Sequence, residues 1–163
     1  MLVRWLVFIH VIAAFTFFLA HGASAAMAFR LRKESDLQRI RALLDLSQST
    51  ITVMGITFLV MGLTGIVMPF FIKIWDKLWV WLSIILMLFV AAWMAWFNEG
   101  AYKPLRRLVG LPYMVGGRKL AAEPPASVEA ISAHIRKINT VQLVLIGYAI
   151  PMLVLWLMVF KPF

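Results

Sequence analysis

Two histidines, His10 and His21, stand inside the first apolar stretch of the chain, Trp5 to Ala28, which contains no Lys, Arg, Asp or Glu. Imidazole is the side chain best suited to ligate iron or magnesium, or to exchange a proton near neutral pH. In an α-helix, a separation of eleven residues leaves the two within about 20° of eclipsed and about 16 Å apart along the axis. Both therefore look out from one face, at two depths. The same face carries Ala13, Ala14, Phe17, Ser24, Ala25 and Ala28. Such a low surface suits close helix packing, through Ala14 and Ser24 for instance, and would equally admit a flat macrocycle.

Ligation makes different demands for different groups. A bundle with two bis-histidine haems needs four histidines, and the chain has three. The third, His134, precedes an apolar stretch rather than lying within one, so a place at the membrane interface, hydrogen-bonded or facing lipid phosphate, is expected for it. Met54, Met61 and Met68 recur every seven residues. Thioethers ligate haem iron, although regularly spaced methionine in a span ordinarily fills gaps in packing. Met54 lies nearest in depth to His21, so His21 with Met54 is the candidate site for haem b. A bacteriochlorophyll needs one axial ligand, which His10 and His21, each amid small residues, supply better than they supply haem. Against all of these stands a packing role for both imidazoles with no cofactor, and the two accounts weigh equally.

These residues are positioned by apolar spans. Hydrophobic residues make up 63% of the chain and charged residues 14%, with a mean hydropathy of +0.91, which excludes an ordinary soluble fold. Four stretches reach the roughly 20 residues that a bilayer requires: about 5–28, 49–71, 78–97 and 138–160. Arg4, the first apolar run and Ala23-Ser24-Ala25 imitate a secretory signal with its cleavage site. The run exceeds a usual signal core, so it reads as a retained span. In the second span, small residues let helix backbones approach closely in lipid; Gly55 and Gly62 lie on one stripe, with Gly65 nearby. Trp79 and Trp81 at one end of the third span, and Trp93 and Trp96 at the other, have the spacing of two aromatic belts. Asn98-Glu99-Gly100 reads as the stop of that helix. In the fourth, Pro151 predicts a kink near Gly147.

Two longer polar segments, 29–48 and 98–137, separate the spans. In the first, Ser35 and Gln38 have capping-box spacing, and Leu37, Ile40 and Leu44 recur at helical spacing between charges. That is an amphipathic lead-in, lying at the headgroups or running straight into the second span. The segment from Ser127 to Lys137 leads similarly into the fourth. Lys and Arg number five and seven in these two segments, against four on the other side (Arg4, Lys73, Lys77, Lys161). The positive-inside bias places both segments in the cytoplasm and both termini outside. The formal charge of +9 is therefore a topology signal rather than a sign of nucleic acid. There is no cysteine, hence no disulfide or thiolate chemistry. No charged residue lies inside a span, which disfavours an ion path, and no catalytic triad, HExxH or phosphate loop is present.

Ile9-His10 before a small-residue stretch, Leu63-Thr64-Gly65, Trp79-Val80-Trp81-Leu82-Ser83 and Arg106-Arg107 spread over about two thirds of the chain. In these segments it resembles a bacterial family of four-span integral membrane proteins, itself distantly similar to the CopD copper-resistance membrane proteins. The resemblance implies a four-helix antiparallel bundle and brings no established reaction.

The expected protein is all-α: one integral membrane domain over 1–163, four transmembrane helices, with amphipathic cytoplasmic lead-ins to helices 2 and 4, in a bacterial inner membrane. The leading expectation for function is a non-catalytic subunit of a larger respiratory or photosynthetic complex. It would pack against lipids and other integral membrane subunits, and hold a bacteriochlorophyll or carotenoid if any cofactor. The alternatives are a haem b protein exchanging electrons with quinone, and a small-solute or metal transporter.

Overall fold

The computed structural model describes residues 1–115 and 117–163. Five helices and one hairpin follow in order: α1 Leu2–Leu31, α2 Leu37–Ile72, α3 Leu78–Leu108, β1 Tyr113–Val115, β2 Arg118–Leu120, α4 Val128–Lys137 and α5 Thr140–Phe160. Four apolar helical segments are long enough to cross a membrane, and the fold is an all-α four-helix membrane bundle. The helices alternate in direction. α1 pairs most closely with α2 and α3 with α5, and α1 meets α5 between the two pairs.

Three boundaries differ from those read in the sequence. The first lead-in takes the second of its two expected courses and runs without a break into the second span, but its start is shifted. At 36 residues, α2 is about 54 Å long, far more than the roughly 30 Å of hydrocarbon, so its first turns project on the loop side. Its N-cap is Asp36 rather than Ser35, with Asp36 Oδ1 accepting from the Arg39 N–H at 2.8 Å. Second, α3 passes through Gly100 and Pro104 and stops at Gly110 instead. There the Gly110 N–H donates to Arg107 O at 3.0 Å and the Leu111 N–H to Arg106 O at 2.9 Å, with Gly110 at φ +72. That pair of bonds is a Schellman stop. Packing overrides the local stop signal: the added turns bury Leu105 completely, and Val109 just beyond them is also fully buried. Third, Ile138 lies outside the last span, whose cap is Asn139, its side chain accepting from the Gln142 N–H at 2.9 Å.

The main core lies at the loop-side ends of the helices. Ala28 and Leu31 from α1, Ile40 and Leu44 from α2, and Phe97, Leu105 and Val109 from the α3 end meet Ile131 and Ile135 of α4 there. Both lead-ins thus bury their apolar faces on protein. Deeper in the bundle, little is covered: 6% of the most apolar window of α2 is buried, against 28% for the last span. The apolar side chains left outside, such as Phe15, Leu19, Ile85 and Val159, form a lipid-facing surface.

Arginines hold this loop-side head together. Arg106 donates from Nη1 to Leu44 O at 3.1 Å, from Nη2 to Asp45 Oδ1 at 2.9 Å and from Nε to Pro112 O at 3.1 Å. One guanidinium thereby joins α2, α3 and the strand entry. Arg41 Nε donates to Val109 O at 2.7 Å, and Arg32 Nη1 to Thr140 Oγ1 at 3.1 Å. The Val109 carbonyl, left free at the end of α3, is a natural acceptor for such a group.

Candidate functional site

The bundle separates the two imidazoles of α1. His10 is turned toward α2 and His21 toward α5 and α3. A single face therefore serves two different interfaces, because α1 runs between two neighbours.

His10 Nδ1 lies 3.0 Å from Met61 O and 3.0 Å from Thr64 Oγ1. A carbonyl only accepts, so Nδ1 carries the proton. Nε2 then keeps its lone pair, the state in which imidazole binds iron or magnesium. The Thr64 hydroxyl donates onward to Val60 O at 2.8 Å. The absence of a side chain at Gly65 makes room for the ring: a Cβ there would stand 3.2 Å from His10 Cε1. His10, Thr64 and Gly65 together form the α1–α2 seam.

His21 is 2% exposed. Its ring stacks on Phe17, with centroids 6.2 Å apart and planes 4° apart, and sits 4.8 Å from the ring of Tyr148. Nε2 and Cε1 fill the notch left by Gly147, where an added Cβ would collide with the imidazole and with the Met94 methyl. Nε2 is buried and has no hydrogen-bond partner, the Met54 sulfur included, among the described residues. A macrocycle bound through Nε2 would have to occupy the position that Gly147 holds. As packed, His21 does not fit a tetrapyrrole. The thioether beside it belongs to Met94 of α3, and Met54 is half-buried on α2. Met94, Gly147 and Tyr148 escaped the sequence reading; the Gly147 to Pro151 spacing pointed to a bend and not to a notch.

The remaining packing candidates divide. Ala14 and Ser24 are half-buried on α1, and Gly65 meets His10. Gly55 and Gly62 differ: among the described residues nothing lies within 4 Å of where a Cβ would stand on either. They are not used for packing within the chain. His134 is hydrogen-bonded, as expected of an interfacial histidine, with Nε2 2.9 Å from Ala101 O, and it fastens α4 to α3.

On the loop side, Arg107 Nε donates to Glu123 Oε2 at 3.0 Å, and the Tyr113 hydroxyl donates to Glu123 Oε1. The Tyr113 bond, then the Arg107 bond, hold the Glu123 carboxyl below its ordinary value. Donation to that carboxylate holds the Tyr113 hydroxyl above its own. Beside this cluster, α2, α3 and the hairpin enclose a cleft of about 490 Å³, lined among others by Gln48, Ile51, Tyr102, Lys103, Arg106 and Lys119. Among the described residues no three or more His, Cys, Asp or Glu side chains gather in a way that could hold a metal ion. No family model, curated protein or solved structure matches this chain.

Proposed function

We propose that the protein is a non-catalytic integral membrane subunit of a larger complex, docking a transmembrane helix of another subunit on the outward side of α2. The observation that carries this reading is the pair Gly55 and Gly62, seven residues apart with open space at both. Facing lipid, glycine gains nothing and costs a helix about 1 kcal/mol relative to alanine. Facing another helix, it lets two backbones approach closely. Leu59, midway between them and 61% exposed, supplies the knob for such a contact. The polar side chains His10 and Thr64 join helices within the chain, a use in keeping with a structural subunit. The twelve basic residues on the loop side against four opposite support a cytoplasmic loop side with both termini outside a bacterial inner membrane.

A photo-crosslinker at position 59, activated in native membranes, tests the reading. Adducts to one transmembrane partner, abolished by Gly55→Leu/Gly62→Leu while the chain still folds, are expected. Adducts to lipid alone would end it.

His10 favours a second reading, a bound tetrapyrrole such as bacteriochlorophyll or haem b. Its Nδ1 bond to a carbonyl is the support that axial histidines receive from their surroundings. The purified protein would then show pigment absorption that His10→Leu removes and His21→Leu, remote from it, does not.

A further inference from the structure

The cleft between α2, α3 and the hairpin lies where the spans give way to charged residues, so its occupant must have a polar end and an apolar end. Its charges are nearly all engaged. Arg106 is paired with Asp45 at 2.9 Å, and Lys103 with Glu99. Lys119 also lines the cleft; it is exposed and has no ion-pair partner among the described residues. The antiparallel hairpin sets it there, opposite Met114 across the strands. Tyr102 lines the same cleft, and its hydroxyl is buried without a hydrogen-bond partner among the described residues. The cleft therefore offers the uncompensated charge of Lys119 and, in its wall, the buried Tyr102 hydroxyl, unpartnered among the described residues, beside the polar side chains of Ser47, Gln48 and Asn98. Ile51, about one turn deeper on α2 than Gln48, gives it an apolar floor toward the lipid.

We infer that this cleft binds the phosphate of an anionic phospholipid headgroup, with Lys119 and the Tyr102 hydroxyl as its direct partners. A phosphodiester carries a single negative charge and several acceptor oxygens, which suits a lysine unpaired among the described residues and a hydroxyl donor still to be used. The acyl chains follow Ile51 down the outside of α2. Paired already, Arg106 and Lys103 shape the wall without needing to release their carboxylates. A zwitterionic lipid brings its own cation beside Lys119 and is disfavoured. Nothing here depends on which subunit covers Gly55 and Gly62, so failure of either idea leaves the other standing.

The test is native mass spectrometry of the full chain released from micelles containing equal phosphatidylglycerol and phosphatidylcholine. Phosphatidylglycerol adducts should dominate. Lys119→Gln should lower that preference about fivefold, the equivalent of about 1 kcal/mol for one basic residue at a membrane surface, and Lys119→Arg should retain it. Tyr102→Phe should lower it as well, with helix content by circular dichroism unchanged in all variants. Equal retention of the two lipids, or an unchanged preference in both Lys119→Gln and Tyr102→Phe, would overturn the inference. So would full displacement by millimolar inorganic phosphate, which would mark a site for soluble anions.

Discussion

The loop-side head and the membrane half of this bundle are built by different physics. In the head, Leu105 and Val109 are fully buried and Ile131 and Ile135 nearly so, and arginines seal the helix ends with charge-assisted bonds. Removal of apolar surface from water drives this packing. In the membrane half the same kinds of side chain point outward, because lipid tails are as apolar as leucine and burial gains little. Cohesion there comes from close approach and a few polar contacts: His10 with Met61 and Thr64, and the His21 ring in the Gly147 notch. This polytopic chain thus concentrates its water-driven core at one end and leaves its spans open to lipid.

The largest effect should come from the head. Leu105→Ala is expected to cost about 2–5 kcal/mol in a denaturant titration of the detergent-solubilised protein. Leu157→Ala, equally buried but within the membrane half, should cost clearly less, since it loses packing without a water-transfer contribution. Equal costs would break the contrast between the two regions. Next, Gly147→Ala should destabilise by about 1–3 kcal/mol through overpacking against His21. The double variant with His21→Ala should recover much of that loss, a coupling read from the double-mutant cycle. Additive losses would mean that the notch and the ring are not joined as described.

The smallest effect concerns the surface of the head. Because the carboxyl of Glu123 titrates below the ordinary 4.5, its bonds to Tyr113 and Arg107 are fully present above that pH. They are lost as pH falls through the lower folded value. Amide protection at Ala126, whose N–H donates to Leu108 O at 2.8 Å, should fall in that acid window once exchange is corrected for its intrinsic pH dependence, and Glu123→Gln should flatten the response. The group is exposed, so overall stability should hardly move.

Much of the architecture was legible in the chain alone. The number of spans, their alternation and the helical lead-ins follow from apolar run length and 3.6-residue periodicity, which are local properties. That His134 is polar-partnered beside its span was legible for the same reason, but the choice of the Ala101 carbonyl over lipid phosphate was not. What only the tertiary structure decided is non-local. Asn98-Glu99-Gly100 has the local look of a helix end, yet burial of Leu105 and Val109 carries α3 on to Gly110. Gly55, Gly62 and Gly65 look alike in sequence, and only the placement of α1 against α2 assigns Gly65 to His10 and leaves the other two open. His10 and His21 share one face of one helix, but the neighbours met at each depth, α2 for one and α5 with α3 for the other, separate their chemistry. Hydropathy determines which residues leave water; which side chain meets which depends on distances between helices that no single stretch of sequence encodes.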